Sequence, residues 1–393
     1  MQQVDDVTTR VDGLADDLAS RGLLTDEHWR RALHEVPRHL FVPPTGWALP
    51  DHGGGVRGAI TRDTDPAAWW GAVYSDTSIA LQADDGATDP ATGEGMTSSS
   101  ISAPGIVVAF LELLDLGGRD RVLEIGTGSG WTAALLSWRV GEENVTSIEV
   151  DKEVAAHAAR NLEAAGYAPR LVVGDGGEGW PDGAPYDRVH VTCAVRQVPY
   201  AWVEQTNPGG VVVLPWSPGP SGGYRVRLDV LGDGRAVGRL YGPAVYMMLR
   251  SQRQATRWEA HHAEAAARTS TTLDPRAVAD GGAGAALALS GQVPGLGSYA
   301  VPDDDGGFSL LLFEPGRTDG SWAACDYTPG VGEFEVTQWG ERRLWDEVEA
   351  AYLRWVSWGK PGRERLGLTV TPEGQQLWLD SPSRVLPGPQ PAA

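Results

Sequence analysis

The stretch Val122-Leu123-Glu124-Ile125-Gly126-Thr127-Gly128-Ser129-Gly130-Trp131 decides how the rest of the chain is organised. An apolar run leads into a turn with glycine at alternate positions, and a helix is predicted to follow. Glycine permits positive φ and close backbone approach, so the turn predicts a nucleotide-like ligand at the end of the first parallel strand. An ordinary glycine-rich turn remains the alternative, because one such turn is weak evidence. Glu124 favours a cationic or hydroxyl-bearing ligand over a pyrophosphate.

An alternation of strands and helices continues after this turn and predicts a parallel sheet. The second strand carries Glu149 near its end, about twenty residues after the first glycine, where an acidic side chain meets a ribose hydroxyl in nucleotide-binding α/β folds. Strands two to five are predicted at 144–151, 170–173, 186–192 and 210–215, and an antiparallel pair at 224–230 and 236–249.

Asp175 stands where the third strand ends, within Gly174-Asp175-Gly176. Two interpretations remain open for it: an acceptor for an adenine amino group, or an Asx turn closed on its own backbone. His39 is interpreted as structural, because no neighbour in the sequence forms a charge pair with it.

Composition excludes several classes of function. The formal charge of −20 argues against binding a phosphate backbone. The two cysteines, Cys193 and Cys325, are far apart, which argues against a disulfide framework or a zinc site and fits a reducing compartment. The start of the chain is polar, and no apolar window is long enough to span a membrane. We therefore expect a soluble cytoplasmic monomer with no metal, nucleic-acid or membrane partner.

A hydroxyl-rich segment precedes an apolar helix predicted over 106–116. Five of the six residues from Thr97 to Ser102 carry hydroxyl groups. Ser102 could cap the helix, since serine is favoured at that position. One cap does not account for five hydroxyls, however, and a helix N-terminus with several hydroxyl donors also suits a carboxylate. Both interpretations stay open.

Several segments resemble, in the same order, signatures of the protein L-isoaspartate O-methyltransferase family. They are Val-Pro-Arg-His-Leu-Phe-Val-Pro at 36–43, Tyr-Ser-Asp at 74–76, Ile-Ser-Ala-Pro at 101–104, the glycine turn at 123–130, Ser-Ile-Glu at 147–149, Gly-Asp-Gly at 174–176 and Val-Thr-Cys-Ala at 191–194. The resemblance covers about residues 5–249. It implies a Rossmann-like α/β methyltransferase fold, a seven-strand sheet with helices on both faces, and methylation of a peptide carboxylate with S-adenosyl-L-methionine as cofactor.

The resemblance also implies roles for individual residues. The cofactor-binding set is Glu124, Gly126, Thr127, Gly128, Gly130, Glu149, Val150, Asp175, Gly176 and Thr192. Ser102 matches the active-site serine of the family, and the substrate-binding set is Ser98, Ser99, Ser100, Tyr74 and Asp76.

The chain departs from the repair enzymes of that family in two places. They carry a short Gly-Gln-Thr-Ile-Ser segment, whereas this chain has a long acidic loop followed by Ser98-Ser99-Ser100-Ile101-Ser102. It also continues well beyond Leu249. Both features are similar to the branch that tailors ribosomally made peptides associated with lanthipeptides, graspetides or imide-containing peptides. That branch methylates an Asp side chain of a precursor peptide, and the ester cyclises to an aspartimide.

Residues 1–249 are therefore predicted as a methyltransferase domain with an N-terminal helical segment, and residues 250–393 as an α+β domain that recognises the peptide. In the second domain we predict a helix over 251–268, a strand over 307–313, a helix with an apolar face from Leu344 to Trp355, and a hairpin over 363–379. An aromatic stripe at helical spacing is typical of a core, although Trp and Tyr also anchor peptide partners.

Three hypotheses follow. The first is a peptide-tailoring Asp methyltransferase that acts on a precursor peptide. The second is an enzyme that repairs isoaspartate in damaged proteins. The third is a cofactor-binding scaffold for a partner synthetase, which would bind the cofactor without turnover.

Overall fold

A computed structural model describes residues 2–51, 55–219, 222–254, 260–304 and 306–388. The helices are α1 (Gln2–Ser20), α2 (Glu27–Glu35), α3 (Pro66–Val73), α4 (Pro104–Leu114), α5 (Trp131–Val140), α6 (Lys152–Ala165), α7 (Tyr200–Glu204), α8 (Pro275–Ala279), α9 (Gly282–Gln292) and α10 (Leu344–Ser357). The strands are β1 (Thr45–Pro50), β2 (Gly58–Thr61), β3 (Thr77–Ala83), β4 (Thr97–Ile101), β5 (Val122–Ile125), β6 (Val145–Glu149), β7 (Arg170–Val173), β8 (Tyr186–Val191), β9 (Thr206–Gly219), β10 (Gly222–Val230), β11 (Ala236–Pro243), β12 (Ala267–Thr271), β13 (Gly297–Pro302), β14 (Phe308–Phe313), β15 (Trp322–Tyr327), β16 (Phe334–Trp339), β17 (Leu366–Thr371) and β18 (Gly374–Leu379).

The central sheet confirms the predicted α/β methyltransferase architecture. Its order is β18-β17-β11-β10-β9-β8-β5-β6-β7, and β9, β8, β5, β6 and β7 are parallel. All four residues of β5 are buried, as expected for a strand covered by helices on both faces. The glycine turn follows β5 directly, so it lies in the middle of the sheet's carboxyl edge, where ligands bind in open α/β sheets.

Two apolar layers cover the faces of this sheet. One contains Leu18 of α1, Leu111 of α4 and Leu135 of α5, and the other contains Trp202 of α7 and Leu287 of α9. These side chains are at most 1% exposed. The predicted N-terminal helical segment is present as α1 and α2, and Leu18 of α1 belongs to the first of these layers.

The serine-rich segment is a strand and not a helix cap. β4 is the last strand of a separate four-stranded sheet with the order β2-β1-β3-β4, and it pairs with β3 through an irregular register. The predicted helix begins at Pro104, two residues earlier than the spacing indicated. Within the described residues β4 pairs on one side only, and its serines lie beside the glycine turn.

The C-terminal region contains a five-stranded antiparallel sheet with the order β12-β16-β15-β14-β13. The predicted aromatic face forms its core, because Trp345, Tyr352 and Trp355 of α10 are at most 7% exposed and pack against it. The helix predicted over 251–268 is wrong. Its described residues form short 3₁₀ turns and then β12, which pairs with β16, and residues 255–259 lie outside the described part.

The domain boundary predicted at residue 249 runs through the central sheet, because strands from both sides of that residue belong to it. The predicted C-terminal hairpin exists as β17 and β18, but β17 pairs with β11 and extends the central sheet. The sheet thus has nine strands in place of the seven that the resemblance implied. Local periodicity identifies a hairpin but not its distant partner. No described helix is long and apolar enough to cross a membrane.

Candidate functional site

A cleft lies at the carboxyl ends of β5, β6 and β8, where the glycine turn faces the serine-rich strand. It is open to solvent, and together with the solvent-filled space at its mouth it has a volume of about 850 Å³. Most of the residues implied by the resemblance line it, namely Ser98, Ser99, Ser100, Ser102, Gly126, Thr127, Gly128, Glu149, Val150, Gly176 and Thr192.

Backbone hydrogen bonds hold the glycine turn in place, and its first glycine has no room for a side chain. The N–H groups of Gly126 and Thr127 donate to the carbonyl of Ile148, at 2.8 and 3.2 Å. Gly126 has φ of +95°, and a Cβ there would lie 2.4 Å from Thr192 Oγ1. The turn therefore requires glycine at this position both for its backbone angle and for space.

Glu124 lies beneath the turn and does not line the cleft. It is fully buried, and Ser147 Oγ donates to its Oε2 at 2.5 Å, while Thr127 Oγ1 and Ser147 Oγ are 2.6 Å apart. Glu124 Oε1 has no partner among the described residues. These three buried, hydrogen-bonded side chains connect β5, β6 and the turn. Glu124 therefore influences the cleft by positioning Thr127, through Ser147.

Glu124 makes a testable contribution to the pH dependence of stability. Burial raises its pKa to about 8, so between its unfolded value of 4.5 and about 8 the folded chain binds more protons than the unfolded chain. Stability therefore falls as pH rises through this window. We expect Glu124→Gln to reduce this decrease in the free energy of unfolding with pH. Urea unfolding without cofactor between about pH 6 and pH 8 measures it. Exposed Glu163→Gln is the control, and an unchanged slope in Glu124→Gln would contradict the assignment.

Glu149 closes the far side of the cleft at the end of β6. Its two carboxylate oxygens accept from the N–H groups of Gly128 and Asp151, at 3.0 and 3.1 Å. Burial raises its pKa. Each carboxylate oxygen can accept a further hydrogen bond, so the group can receive the hydroxyl donors of a ribose.

Asp175 and Gly130 lie outside the lining of the cleft. Asp175 is exposed, and its Oδ1 accepts from Gly177 N at 2.9 Å, so the Asx turn considered from the sequence is present. Ser251 Oγ also donates to this oxygen at 3.3 Å. Gly130 has φ of +87° and stands at the N-terminus of α5, where a Cβ would lie 3.0 Å from Leu162 Cγ.

The serines of β4 form the wall opposite the glycine turn. A Cβ on Gly128 would lie 3.4 Å from the carbonyl oxygen of Ser100, so the two walls approach closely. Ser98 Oγ donates to Gln82 Oε1 at 2.9 Å and accepts from Asp85 N at 3.0 Å. Ser98 thus joins β4 to the acidic loop, whereas Ser102 lies at the opposite end of the wall.

The environment of Ser102 depends on two residues that the sequence interpretation missed. Arg38 is 1% exposed and donates to the carbonyls of Val73, Thr77 and Ser102, at 2.8, 2.7 and 3.0 Å. The side chain of Tyr246 lies close enough to that of Ser102 to interact with it, and burial raises the pKa of Tyr246, which keeps its hydroxyl protonated. Arg38 belongs to the segment 36–43 that carries the resemblance. Only its neighbour His39 received an interpretation from the sequence.

Tyr74 and Asp76, implied as substrate-binding residues, do not line the cleft. Tyr74 stacks on Trp70 with ring centroids 6.0 Å apart, and its hydroxyl lies 2.7 Å from His39 Nδ1. Asp76 Oδ1 accepts from Gly105 N at 2.7 Å, so Asp76 performs the capping role considered for Ser102. The carboxylate of Asp76 accepts from the start of α4 and forms an ion pair with Arg21. Tyr74 and Asp76 therefore support the wall beside the cleft and do not line the cleft itself.

The cap made by Asp76 has a measurable effect on stability. Asp76→Ala removes the acceptor for Gly105 N and the partner of Arg21, and we expect the free energy of unfolding to fall by about 1–2 kcal/mol. Asp76→Asn keeps an acceptor for the helix and should lose less. Urea unfolding of the two variants measures the difference. Equal decreases in the free energy of unfolding would show that the helix cap does not account for the stabilisation by Asp76.

The segment after β11 forms the third wall of the cleft. Met247, Met248 and Leu249 line it, and Arg250 and Arg253 follow at its mouth. Arg250 pairs with Asp151 at 3.3 Å and with Asp85 at 3.1 Å, so it bridges the start of α6 and the acidic loop. The connection to the C-terminal region is therefore part of the cleft itself.

These features fit the cofactor that the resemblance implies. The glycine turn presents bare backbone to the cleft at Gly126 and Gly128, where Gly126 has no room for a Cβ, and Glu149 offers carboxylate oxygens to hydroxyl donors in the same cleft. Such a site suits a nucleoside attached to a small polar tail.

Comparisons with known proteins agree with this interpretation. Residues 65–254 match the model of the family described as Protein-L-isoaspartate(D-aspartate) O-methyltransferase. The protein-L-isoaspartate O-methyltransferase of Hyperthermus butylicus is 35% identical over 212 residues, which are 51% of this chain and 73% of that protein. That of Ignicoccus hospitalis is 33% identical over 216 residues, which are 54% of this chain and 84% of that protein.

A solved structure named protein-L-isoaspartate O-methyltransferase overlaps 94% of this chain and 100% of its own, with a TM-score of 0.52 and 21% identity. At this identity the likeness concerns the fold alone. Because the overlap extends far beyond residue 254, a C-terminal region does not by itself distinguish a peptide-tailoring branch. The relatives, the fold and the cleft together place the chain in the protein-L-isoaspartate O-methyltransferase family, whose cofactor is S-adenosyl-L-methionine.

Proposed function

We propose that this chain methylates the free carboxylate of an isoaspartyl or aspartyl residue in a peptide, which is the α-carboxylate of the first and the side-chain carboxylate of the second, with Ser102 as the residue that positions that carboxylate. The observation that carries the proposal is the placement of Ser102 in the cleft beside the glycine turn. Arg38 donates to its carbonyl and so fixes the backbone at this position, and the side chain of Tyr246 lies close enough to interact with that of Ser102.

The reaction requires positioning more than proton transfer. When bound, S-adenosyl-L-methionine supplies an electrophilic methyl group on a sulfonium. A peptide carboxylate has a pKa near 4 and is ionised at neutral pH, so it needs no general base. The walls of the cleft therefore have to hold the carboxylate oxygen in line and keep water away, and correct orientation of this kind lowers barriers by several kcal/mol.

Neutral donors suit this task. Ser102 and the other hydroxyls of the β4 wall can hydrogen-bond a carboxylate without neutralising it. A cation against the same oxygen would reduce its nucleophilicity. Of the described residues that line the cleft, the cations are Arg250 and Arg253, and both pair with Asp85 at the mouth.

An isoaspartyl residue is the first candidate substrate, because the relatives in the comparisons carry that name. The test offers a synthetic isoaspartyl peptide and its normal aspartyl isomer to the full chain with S-adenosyl-L-methionine, and follows methyl esters by intact mass. We expect methylation of the isoaspartyl peptide and weaker methylation of the isomer. Methylation of neither peptide, with cofactor binding retained, would count against this substrate.

An aspartyl side chain of a dedicated precursor peptide is the second candidate. It is supported by the acidic loop and the Arg250–Arg253 segment, which together restrict the mouth of the cleft. After methylation the following backbone nitrogen attacks the ester carbonyl, methanol leaves, and a five-membered aspartimide forms. This candidate predicts no turnover of assorted isoaspartyl peptides and successive gain of a methyl group and loss of methanol on the cognate precursor.

A further inference from the structure

We propose that a groove beside the cleft holds an acidic segment of the peptide substrate that flanks the methylated residue; this inference rests on the function proposed above. The groove, here called the arginine groove, runs between Gln254 and the C-terminal sheet. Its described lining includes Arg253, Arg317, Arg342 and Glu314, and it encloses about 890 Å³ of space open to solvent.

The arginine groove continues the cleft. Arg253 lines both, so one side chain forms the end of the first and the beginning of the second. A peptide whose carboxylate lies at Ser102 and whose chain leaves past Arg253 therefore enters the groove.

The charged lining of the groove is rich in arginine, although Asp85, Asp319 and Glu347 pair with these arginines from outside the lining. Three arginines and one carboxylate form its described charged lining, in a chain whose formal charge is −20. An acidic peptide that approaches the cleft therefore meets arginine side chains at this groove, which favours binding there. Carboxylates suit arginine particularly well because the guanidinium can bind both oxygens.

Arg317 is the arginine most available to a ligand. Its side chain is 53% exposed, and its contacts with Glu314 and Asp319 are long, at 3.9 and 4.0 Å. Arg342 differs, because it pairs with Glu347 at 2.5 Å and with Glu314 at 3.4 Å. We therefore assign ligand binding to Arg317 and Arg253, and a supporting role to Arg342.

Asp85 already shows which chemistry Arg253 accepts. Both of its carboxylate oxygens accept from Arg253 Nη1, at 2.7 and 2.9 Å, although Asp85 belongs to the acidic loop and its side chain is 45% exposed. Exposed ion pairs of this kind contribute little to stability. A carboxylate of the substrate can replace Asp85 on Arg253 at small cost.

The test measures binding separately from methyl transfer. Two fluorescein-labelled peptides share one acceptor residue and carry either glutamates or glutamines on both flanks, and fluorescence anisotropy gives their Kd for the full chain saturated with S-adenosylhomocysteine. We expect the glutamate peptide to bind several-fold more tightly. Arg317→Gln and Arg253→Gln should each reduce that preference about two- to fivefold, the range expected for exposed ion pairs. Asp85→Asn should increase it.

Arg268→Gln is the matched control, because Arg268 is 75% exposed on β12 and does not line the groove. An equal loss in this variant would indicate general electrostatics and overturn the proposal. So would equal binding of the two peptides, or a loss in Arg253→Gln that reflects weaker binding of S-adenosylhomocysteine. Preference for the glutamate peptide without methylation of either peptide would leave the groove supported and contradict only the proposed reaction.

Discussion

Replacing Ser102 with alanine is expected to lower kcat for methyl transfer about 30- to 100-fold, because misplacement of a reacting group by about 1 Å costs about that much. The Kd for S-adenosylhomocysteine should change by less than about twofold, since the glycine turn, which the resemblance assigns to the cofactor, forms the wall opposite the serines of β4. Radiolabelled methyl transfer and calorimetric titration measure the two quantities.

Ser98→Ala is the matched control for this prediction. Ser98 lies on the same wall, but its hydroxyl is engaged by Gln82 and Asp85 at the rim. We expect its kcat to fall by less than about threefold. If Ser102→Ala weakened cofactor binding and methyl transfer to the same degree, Ser102 would have no separate role towards the substrate.

Arg38→Met is expected to have the largest effect on stability. Burial lowers the pKa of Arg38 to about 9, and its guanidinium also lies 5.4 Å from the centre of the Trp131 ring. Its loss leaves the carbonyls of Val73, Thr77 and Ser102 without their donor. A buried acceptor left unpaired costs about 1–3 kcal/mol, so the free energy of unfolding should fall by about 3 kcal/mol or more. Urea unfolding measures this loss.

Arg38→Lys should recover only part of that loss, because an ammonium cannot reproduce the planar fork of the guanidinium. Exposed Arg119→Met serves as the control for loss of one positive charge in the same part of the chain. If Arg38→Met and Arg119→Met were equally stable, the network around Ser102 would not depend on Arg38. Methyl transfer by Arg38→Lys reports whether Ser102 also loses its position.

The residues of the glycine turn show why part of the site could be predicted. The apolar run of β5, the alternating glycines and the distance to Glu149 are local features, and the backbone that they specify does not depend on distant contacts. The parallel strands and the position of Glu149 in the cleft were confirmed for the same reason.

Arg38 and Tyr246 show why the rest could not be predicted. They meet Ser102 from about sixty residues before it and well over a hundred after it, and neither lies in a pattern that indicates its partner. β4 was missed because its pairing with β3 is irregular and its serines have low strand propensity. The helix predicted over 251–268 failed for a related reason, since the pairing of β12 with the distant β16 outweighs local preference.

The pairing of β17 with β11 also determines when the central sheet can be completed during synthesis. On the ribosome, the residues that line the cleft emerge before Leu366 and Leu368 of β17, which are fully buried. Until they emerge, β11 is an open edge that can pair with another nascent chain. The central sheet contains strands from both sides of residue 249, so the chain cannot be divided there without leaving that edge exposed.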